Sequence, residues 1–213
     1  MATSATAEAP FAQAQSKDPF WAPASVIGLA GFGTTTMLAG ISVASLATSG
    51  TNWGVANGAV FPMAMAFGGT AQFVAGIIML RRGEIFAGSA FVGYGAFWWA
   101  FTFLASGLLG GSLGGPGAYG IAWFMVVWAM WTFSFLISSY KHGWGIVGVF
   151  LLLEIAYILL AIVFGTIGAG HTPSNGLLSA TGIITFLDGA VAWYVATGIL
   201  TAAHHDGRKV LPF

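Results

Sequence analysis

The sequence predicts an all-α integral membrane protein, a bundle of six transmembrane helices with both termini in the cytoplasm. The chain has 213 residues, of which only 6% are charged, whereas soluble domains carry about 25% charged residues. Six segments are long and apolar enough to cross a bilayer, which takes about 20 residues each. The lysines and arginines all lie outside these segments. Such a chain cannot cover itself with a soluble surface, but a lipid-facing surface needs no charge.

The six segments divide the chain into one transmembrane domain over residues 23–203 and two tails. They run over Ala24–Thr48, Ala56–Leu80, Phe86–Leu109, Ala118–Tyr140, Trp144–Gly168 and Gly176–Ala203. The Gly-rich stretch 110–117 predicts a turn. Residues 1–22 predict a disordered cytoplasmic tail, and residues 204–213 a short second one. A β-barrel would show alternating segments of about 10 residues, so uniformly apolar segments of twice that length favour helices.

The basic residues give this topology a direction. They are Lys17, Arg81, Arg82, Lys141, Arg208 and Lys209. With six spans, all of them fall on the same side of the membrane, and a missed helix would scatter them over both sides. Because positively charged loops stay in the cytoplasm, the sequence predicts a multi-pass protein of the cytoplasmic (inner) membrane.

The composition excludes several kinds of chemistry. The chain has no cysteine, which excludes disulfides and thiolate-bound clusters. No lysine lies mid-span to hold retinal, no P-loop binds ATP, and no basic patch suggests nucleic acid. The four histidines lie at segment ends or in loops, where we expect them to be solvated: His142, His171, His204 and His205. We therefore expect no metal, no cofactor and no catalytic residue, and a small transporter or channel is the class that remains.

Two acidic residues fall inside the spans, Glu154 in the fifth and Asp188 in the sixth. An acid near mid-membrane costs at least ~2.5–3.5 kcal/mol and is by default a functional residue. No span carries a lysine or arginine to neutralise them, so each is expected to be protonated much of the time or open to a hydrated cavity. They are candidates for a proton pathway, and a structural hydrogen bond between helices is the alternative. Thr181 and Thr185 share a helical face with Asp188.

Four motifs, in this order and spacing, identify a family. They are Gly28–Gly33 followed by Thr34–Thr36, Gly68–Gln72, Phe91–Trp98 and Gly207–Pro212. Together with six spans in about 200 residues, they resemble the acetate uptake transporter family, whose bacterial members are called succinate–acetate permeases. The resemblance runs from about Pro23 to Pro212. The family's entrance signature, Asn-Pro-Ala-Pro-Leu-Gly-Leu, keeps only its final Gly28-Leu29 here.

The resemblance implies uptake of acetate, or of succinate and other small carboxylates, either coupled to protons or through a channel. It also implies a homo-hexamer in membrane lipid, with a pore inside each protomer. The pore constriction that the family forms from Phe, Tyr and Leu corresponds to Phe32, Tyr94 and Ile155. Donors flanking this collar would be Thr35, Thr36, Gln72 and the Tyr94 hydroxyl. Because anionic acids would repel acetate, we expect Glu154 or Asp188 to be protonated when substrate passes.

Two other functions fit the residues. The absence of basic residues from the spans also suits a passive channel for a small neutral solute, such as urea or a short amide. A membrane subunit or sensor whose helices only pack together is the second alternative.

Overall fold

The computed structural model describes residues 23–49, 58–106, 117–205 and 210–212. Six helices account for its regular structure: α1 Ser25–Ser49, α2 Val60–Arg81, α3 Ile85–Ser106, α4 Gly117–Ser139, α5 Trp144–Gly168 and α6 Asn175–His204. The predicted six-helix architecture is confirmed, and the described residues contain no strand. Five of the helices are long and apolar enough to cross a membrane. The other, α3, has 22 residues and no charge, but its glycines, tryptophans and tyrosine make it less hydropathic.

The helix boundaries follow the predicted segments closely. The segment predicted for α5 matches without change, because Gly143, at a φ of 93°, precedes it and Ala169 ends it. The largest difference is in α2, which begins at Val60 rather than Ala56. The predicted tail 1–22 and most of the predicted turn at 110–117 lie outside the described residues. Helix α6 continues through His204, one residue into the predicted second tail.

Helices α1 and α6 run antiparallel and touch through their backbones. A Cβ added to Gly33 would lie 2.7 Å from the Gly189 carbonyl oxygen, and one added to Gly182 would lie 2.5 Å from the Ala44 nitrogen. Only glycine permits such close approach, which membrane helices use in place of hydrophobic burial. Gly40 faces Gly182 seven residues further along each helix. Glycine pairs therefore bring α1 and α6 into close backbone contact at two places.

Helix α2 changes its winding in the middle. Residues Ala64–Ala71 form a π-helix, flanked by α-helical Val60–Met63 and Gln72–Arg81. The Thr70 hydroxyl donates to the Met65 carbonyl, five residues earlier, at 2.7 Å. Such segments are rare and often mark functional sites. This one packs against α1, where a Cβ added to Gly68 would lie 2.7 Å from the Thr35 hydroxyl, and Gln72 follows it directly.

The two ends of the bundle differ in charge. At one end, which we name the basic end, α2 connects to α3 and α4 to α5, and these connections carry Arg81, Arg82 and Lys141. Here Arg82 Nε donates to Glu84 Oε1 at 3.2 Å. At the opposite or far end, α5 connects to α6 through a segment that contains His171.

Candidate functional site

Two internal cavities lie along the bundle, one towards each end. The basic-end cavity has a volume of about 160 Å³ and extends from Ser25 and His142 to Phe32. The far cavity has a volume of about 50 Å³ and extends from Phe32 towards Val43 and Phe164. Each exceeds the ~10–15 Å³ that one water molecule requires. A solute crossing the bundle along this line would therefore have two places to dwell.

Phe32 and Leu153 separate the two cavities, because they are the residues that line both. Phe32 is 4% exposed and Leu153 is 5% exposed, so both are fixed by the packing around them. An aromatic ring and an aliphatic side chain form an apolar partition with no polar atom of their own. Partitions of this kind can stop ions by excluding water.

Tyr94 borders this partition from the basic-end cavity. Its ring centroid lies 5.7 Å from that of Phe32, at an interplanar angle of 54°. Its hydroxyl oxygen lies 2.8 Å from the Thr132 hydroxyl oxygen on α4, and either group can donate. When Thr132 donates, the Tyr94 hydroxyl is free to donate to a solute. The predicted neighbours Phe32 and Tyr94 are thus brought together.

Ile155 does not join these two rings. Its side chain is 37% exposed, and it lines neither cavity. Residues two apart in an α-helix point about 200° away from each other, so Leu153 and Ile155 cannot both face the partition. The side chain of α5 beside Phe32 is Leu153, which is the residue type that the resemblance implies for the third position.

The predicted donors are distributed over three places. Gln72 lines the basic-end cavity with Tyr94, and within the described residues neither of its side-chain amide atoms has a hydrogen-bond partner. Thr36 lines the far cavity, and its hydroxyl donates to the Phe32 carbonyl at 2.7 Å. Thr35 is completely buried against α2 and lines neither cavity. The polar groups therefore lie on both sides of the partition.

Asp188 is completely buried near the middle of α6, and neither of its carboxyl oxygens has a hydrogen-bond partner among the described residues. The hydroxyls of Thr181 and Thr185 donate to backbone carbonyls one turn earlier, at 2.7 and 2.8 Å, rather than to Asp188. Thr185 lines the far cavity, one turn from Asp188. Asp188 itself lines neither cavity, and no described residue pairs with its carboxyl group.

Glu154 follows Leu153 on α5 and is half-buried. Its Oε2 is enclosed without a hydrogen-bond partner from any described residue. It lines neither cavity, and no hydrogen bond among the described residues joins it to Asp188. The two acids therefore lie on different helices, α5 and α6, with no hydrogen bond between them among the described residues.

Sequence reasoning missed two polar residues of the far cavity. Trp98 Nε1 and the Tyr157 hydroxyl both belong to residues that line it, and neither has a hydrogen-bond partner within the described part of the chain. The signal for Tyr157 is its spacing of four residues from Leu153, which places both on one face of α5. Almost every neighbouring position is also apolar, so this face does not stand out in the sequence.

Among the described residues, no group of three or more His, Cys, Asp or Glu side chains is placed to hold a metal ion.

The model of the GPR1/FUN34/yaaH family matches residues 5–206 of the chain. An uncharacterized protein of Methanothermobacter thermautotrophicus is 30% identical over 196 residues, which cover 87% of this chain and 88% of that protein. The succinate-acetate/proton symporter SatP of Escherichia coli K12 is 29% identical over 190 residues, covering 87% of this chain and 92% of the relative.

A solved structure, that of the bacterial acetate channel SatP, superposes with a TM-score of 0.76 at 28% identity. The superposition covers 91% of this chain and 99% of that one. The likeness therefore extends over the whole six-helix bundle, including the helices that enclose both cavities. The chain belongs to the GPR1/FUN34/yaaH family, a family of membrane transporters and channels, and it is not an enzyme.

Proposed function

We propose that the protein carries acetate across the cytoplasmic membrane through a pore inside each protomer. The observation that carries the proposal is the apolar partition of Phe32 and Leu153 between two cavities, with the Tyr94 ring beside it. In this proposal the constriction consists of Phe32, Tyr94 and Leu153, and Leu153 takes the place of Ile155. Acetate is a small anion, and its methyl group is compatible with the apolar walls.

Neutral donors would recognise the carboxylate. The basic-end cavity offers Gln72 and Tyr94, and the far cavity offers Trp98 and Tyr157. No arginine lies mid-helix to form a bidentate pair with a carboxylate, and such pairs are the strong ones. Binding should therefore be weak and exchange fast, which suits flux. The same donors would also bind succinate and other small carboxylates that fit the collar.

The two acids within the helices support proton coupling as part of this proposal. A charged carboxylate near mid-membrane costs at least ~2.5–3.5 kcal/mol, and Asp188 has no partner among the described residues to offset that cost. We propose that Asp188 or Glu154 is protonated while acetate passes and returns its proton on the opposite side. A proton moving with the anion would also remove the charge that the apolar partition opposes.

Orientation and assembly complete the proposal. The basic end would face the cytoplasm, because basic loops are retained there, and both termini would lie on that side. The outward face of α4 exposes Trp123, Val127 and Met130, each more than half exposed. Apolar surface of this kind would contact lipid or a neighbouring protomer, as the proposed homo-hexamer requires.

A passive channel for a small neutral solute, such as urea or a short amide, is the second candidate. It is favoured by the lack of lysine and arginine among the described residues that line the two cavities, of which only His142 could carry a positive charge.

Flux into proteoliposomes tests the proposal. Purified protein should take up labelled acetate faster than empty liposomes do, and an inward proton gradient should accelerate this uptake. Labelled urea, measured in the same vesicles, should enter no faster than in empty liposomes. Urea entry without acetate entry would establish the second candidate instead. Entry of neither would contradict both functions and leave a packing subunit.

A further inference from the structure

His142 stacks on a wall of the basic-end cavity. Its ring centroid lies 4.0 Å from that of Phe86, with only 18° between the ring planes. Both residues line the cavity. The His142 backbone is held in the connection between α4 and α5, where its N–H donates to the Ser139 carbonyl at 2.8 Å. Backbone and ring contacts together fix the imidazole at the mouth of the cavity.

The polar edge of this ring makes no hydrogen bond within the described part of the chain, and the residue is exposed. Stacking covers a face of the imidazole and leaves its edge, where an N–H donates in the plane of the ring. A donor is therefore available where the cavity opens.

A line of aromatic rings leads from His142 to the constriction. Phe86 packs edge-on against Phe150 at 5.6 Å, and Phe150 lies 6.3 Å from Tyr94. This wall is apolar, with a donor at each end: His142 at the mouth and the Tyr94 hydroxyl at the partition. A short carboxylate matches the pattern, because its hydrocarbon part can lie on the rings while its oxygens accept a hydrogen bond.

The charges nearby favour an anion. The described residues of the basic end carry Arg81, Arg82 and Lys141 against the single acid Glu84, which pairs with Arg82. Lys141 directly precedes His142 and is exposed, with its ammonium 5.6 Å from the Tyr140 ring centroid. A rim of one sign raises the local concentration of ions of the other sign.

We infer that His142 and Phe86 form a binding site for small carboxylates at the basic-end mouth of the pore. The inference deepens the proposed function and rests on it, since acetate is the ligand expected there. His142 would hold the anion by an N–H hydrogen bond before it enters the pore, or after it leaves. Gln72 and Tyr94 would bind it next, at the partition.

Binding can be measured apart from transport, because the chain has only four histidines. Protein with isotope-labelled histidine rings in nanodiscs is titrated with sodium acetate and, as the matched anion, sodium chloride. His142→Phe assigns the His142 signal, and His171→Gln assigns that of the far-end His171, which lines neither cavity. We expect acetate to shift the His142 signal saturably while the His171 signal stays unchanged. A His142 signal that responds no more than that of His171, or equally to chloride, overturns the inference.

Flux provides the second readout. His142→Phe keeps a ring to stack on Phe86 but removes both nitrogens. It should raise the half-saturating acetate concentration about tenfold, which is the worth of one hydrogen bond to a charged group, with little change in maximal rate. His171→Gln is the matched control and should transport as the unaltered protein does. An unchanged half-saturating concentration in His142→Phe counts against the site. If the NMR shift occurs without any acetate flux, the proposed function fails and the binding site stands.

Discussion

The hydroxyl oxygens of Tyr94 and Thr132 lie 2.8 Å apart, and they join α3 to α4 inside the bundle. Thr132 is completely buried and Tyr94 is 3% exposed, so no bulk solvent competes for this hydrogen bond. The relationship matters for function because Tyr94 also contacts Phe32 at the partition. Thr132 thereby sets the orientation of the hydroxyl that acetate would meet.

Thr132→Val tests this positioning role. The substitution keeps the shape of the side chain but leaves the Tyr94 hydroxyl without its buried partner, which costs about 1–3 kcal/mol. We expect lower thermal stability and several-fold slower acetate uptake, whereas Thr132→Ser should restore both. If Thr132→Val transports acetate normally, the hydrogen bond has no part in the pathway.

Widening the collar should change selectivity. Phe32→Ala and Tyr94→Ala each remove a ring from the constriction, so the uptake of propionate and butyrate should rise several-fold relative to acetate. The measurement is competition by these acids for labelled acetate uptake. Phe91→Ala is the matched control, because Phe91 lines the basic-end cavity but not the far cavity and so is not one of the residues shared by both. Equal selectivity in all three variants would place the constriction elsewhere.

The two acids inside the helices, Asp188 and Glu154, should carry the response to a proton gradient. Asp188→Asn and Glu154→Gln preserve shape but cannot exchange a proton, so at least one variant should lose the gradient-driven part of acetate uptake and keep the downhill part. Glu84→Gln, at the basic end, is the control and should keep both. Full gradient-driven uptake in both Asp188→Asn and Glu154→Gln would show that neither acid couples transport to protons.

The glycine contacts between α1 and α6 should be necessary for stability. A Cβ added to Gly189 would lie 2.5 Å from the Met37 nitrogen, and overpacking of this kind costs about 1–3 kcal/mol. Gly189→Ala should therefore lower the unfolding temperature in detergent. Gly120→Ala is the matched control, since nothing lies within 4 Å of a Cβ there. A Gly189→Ala protein as stable as the control would contradict the close helix contact.

Hydrophobic length and charge were sufficient to predict the six helices, because a span must be apolar from end to end. The segment of α5 was correct at both ends, where Lys141-His142-Gly143 precedes it and Gly168 ends it. The π-helix of α2 was not predicted, since its winding depends on how Gly68 meets α1 and not on local propensity.

Which side chains of a helix face the partition was harder to predict than where the helix begins and ends. Nearly every residue around Leu153 is apolar, so the sequence has no periodicity that tells Leu153 from Ile155; only the packing of α5 against Phe32 does so. His142 was expected to be solvated because it follows a helix. It is exposed, but its ring also stacks on Phe86, which belongs to α3 and lies 56 positions earlier in the chain. Local sequence cannot reveal such a contact.

Blocking the pore at the partition tests the central claim most directly. The chain has no cysteine, so Leu153→Cys and Ile155→Cys each introduce a single thiol, two residues apart on α5. Each variant is treated with a small methanethiosulfonate reagent, labelling is verified by mass spectrometry, and acetate uptake is measured before and after. We predict that modified Leu153→Cys loses acetate flux while modified Ile155→Cys retains it. Unimpaired flux through fully labelled Leu153→Cys would show that acetate does not pass between Phe32 and Leu153.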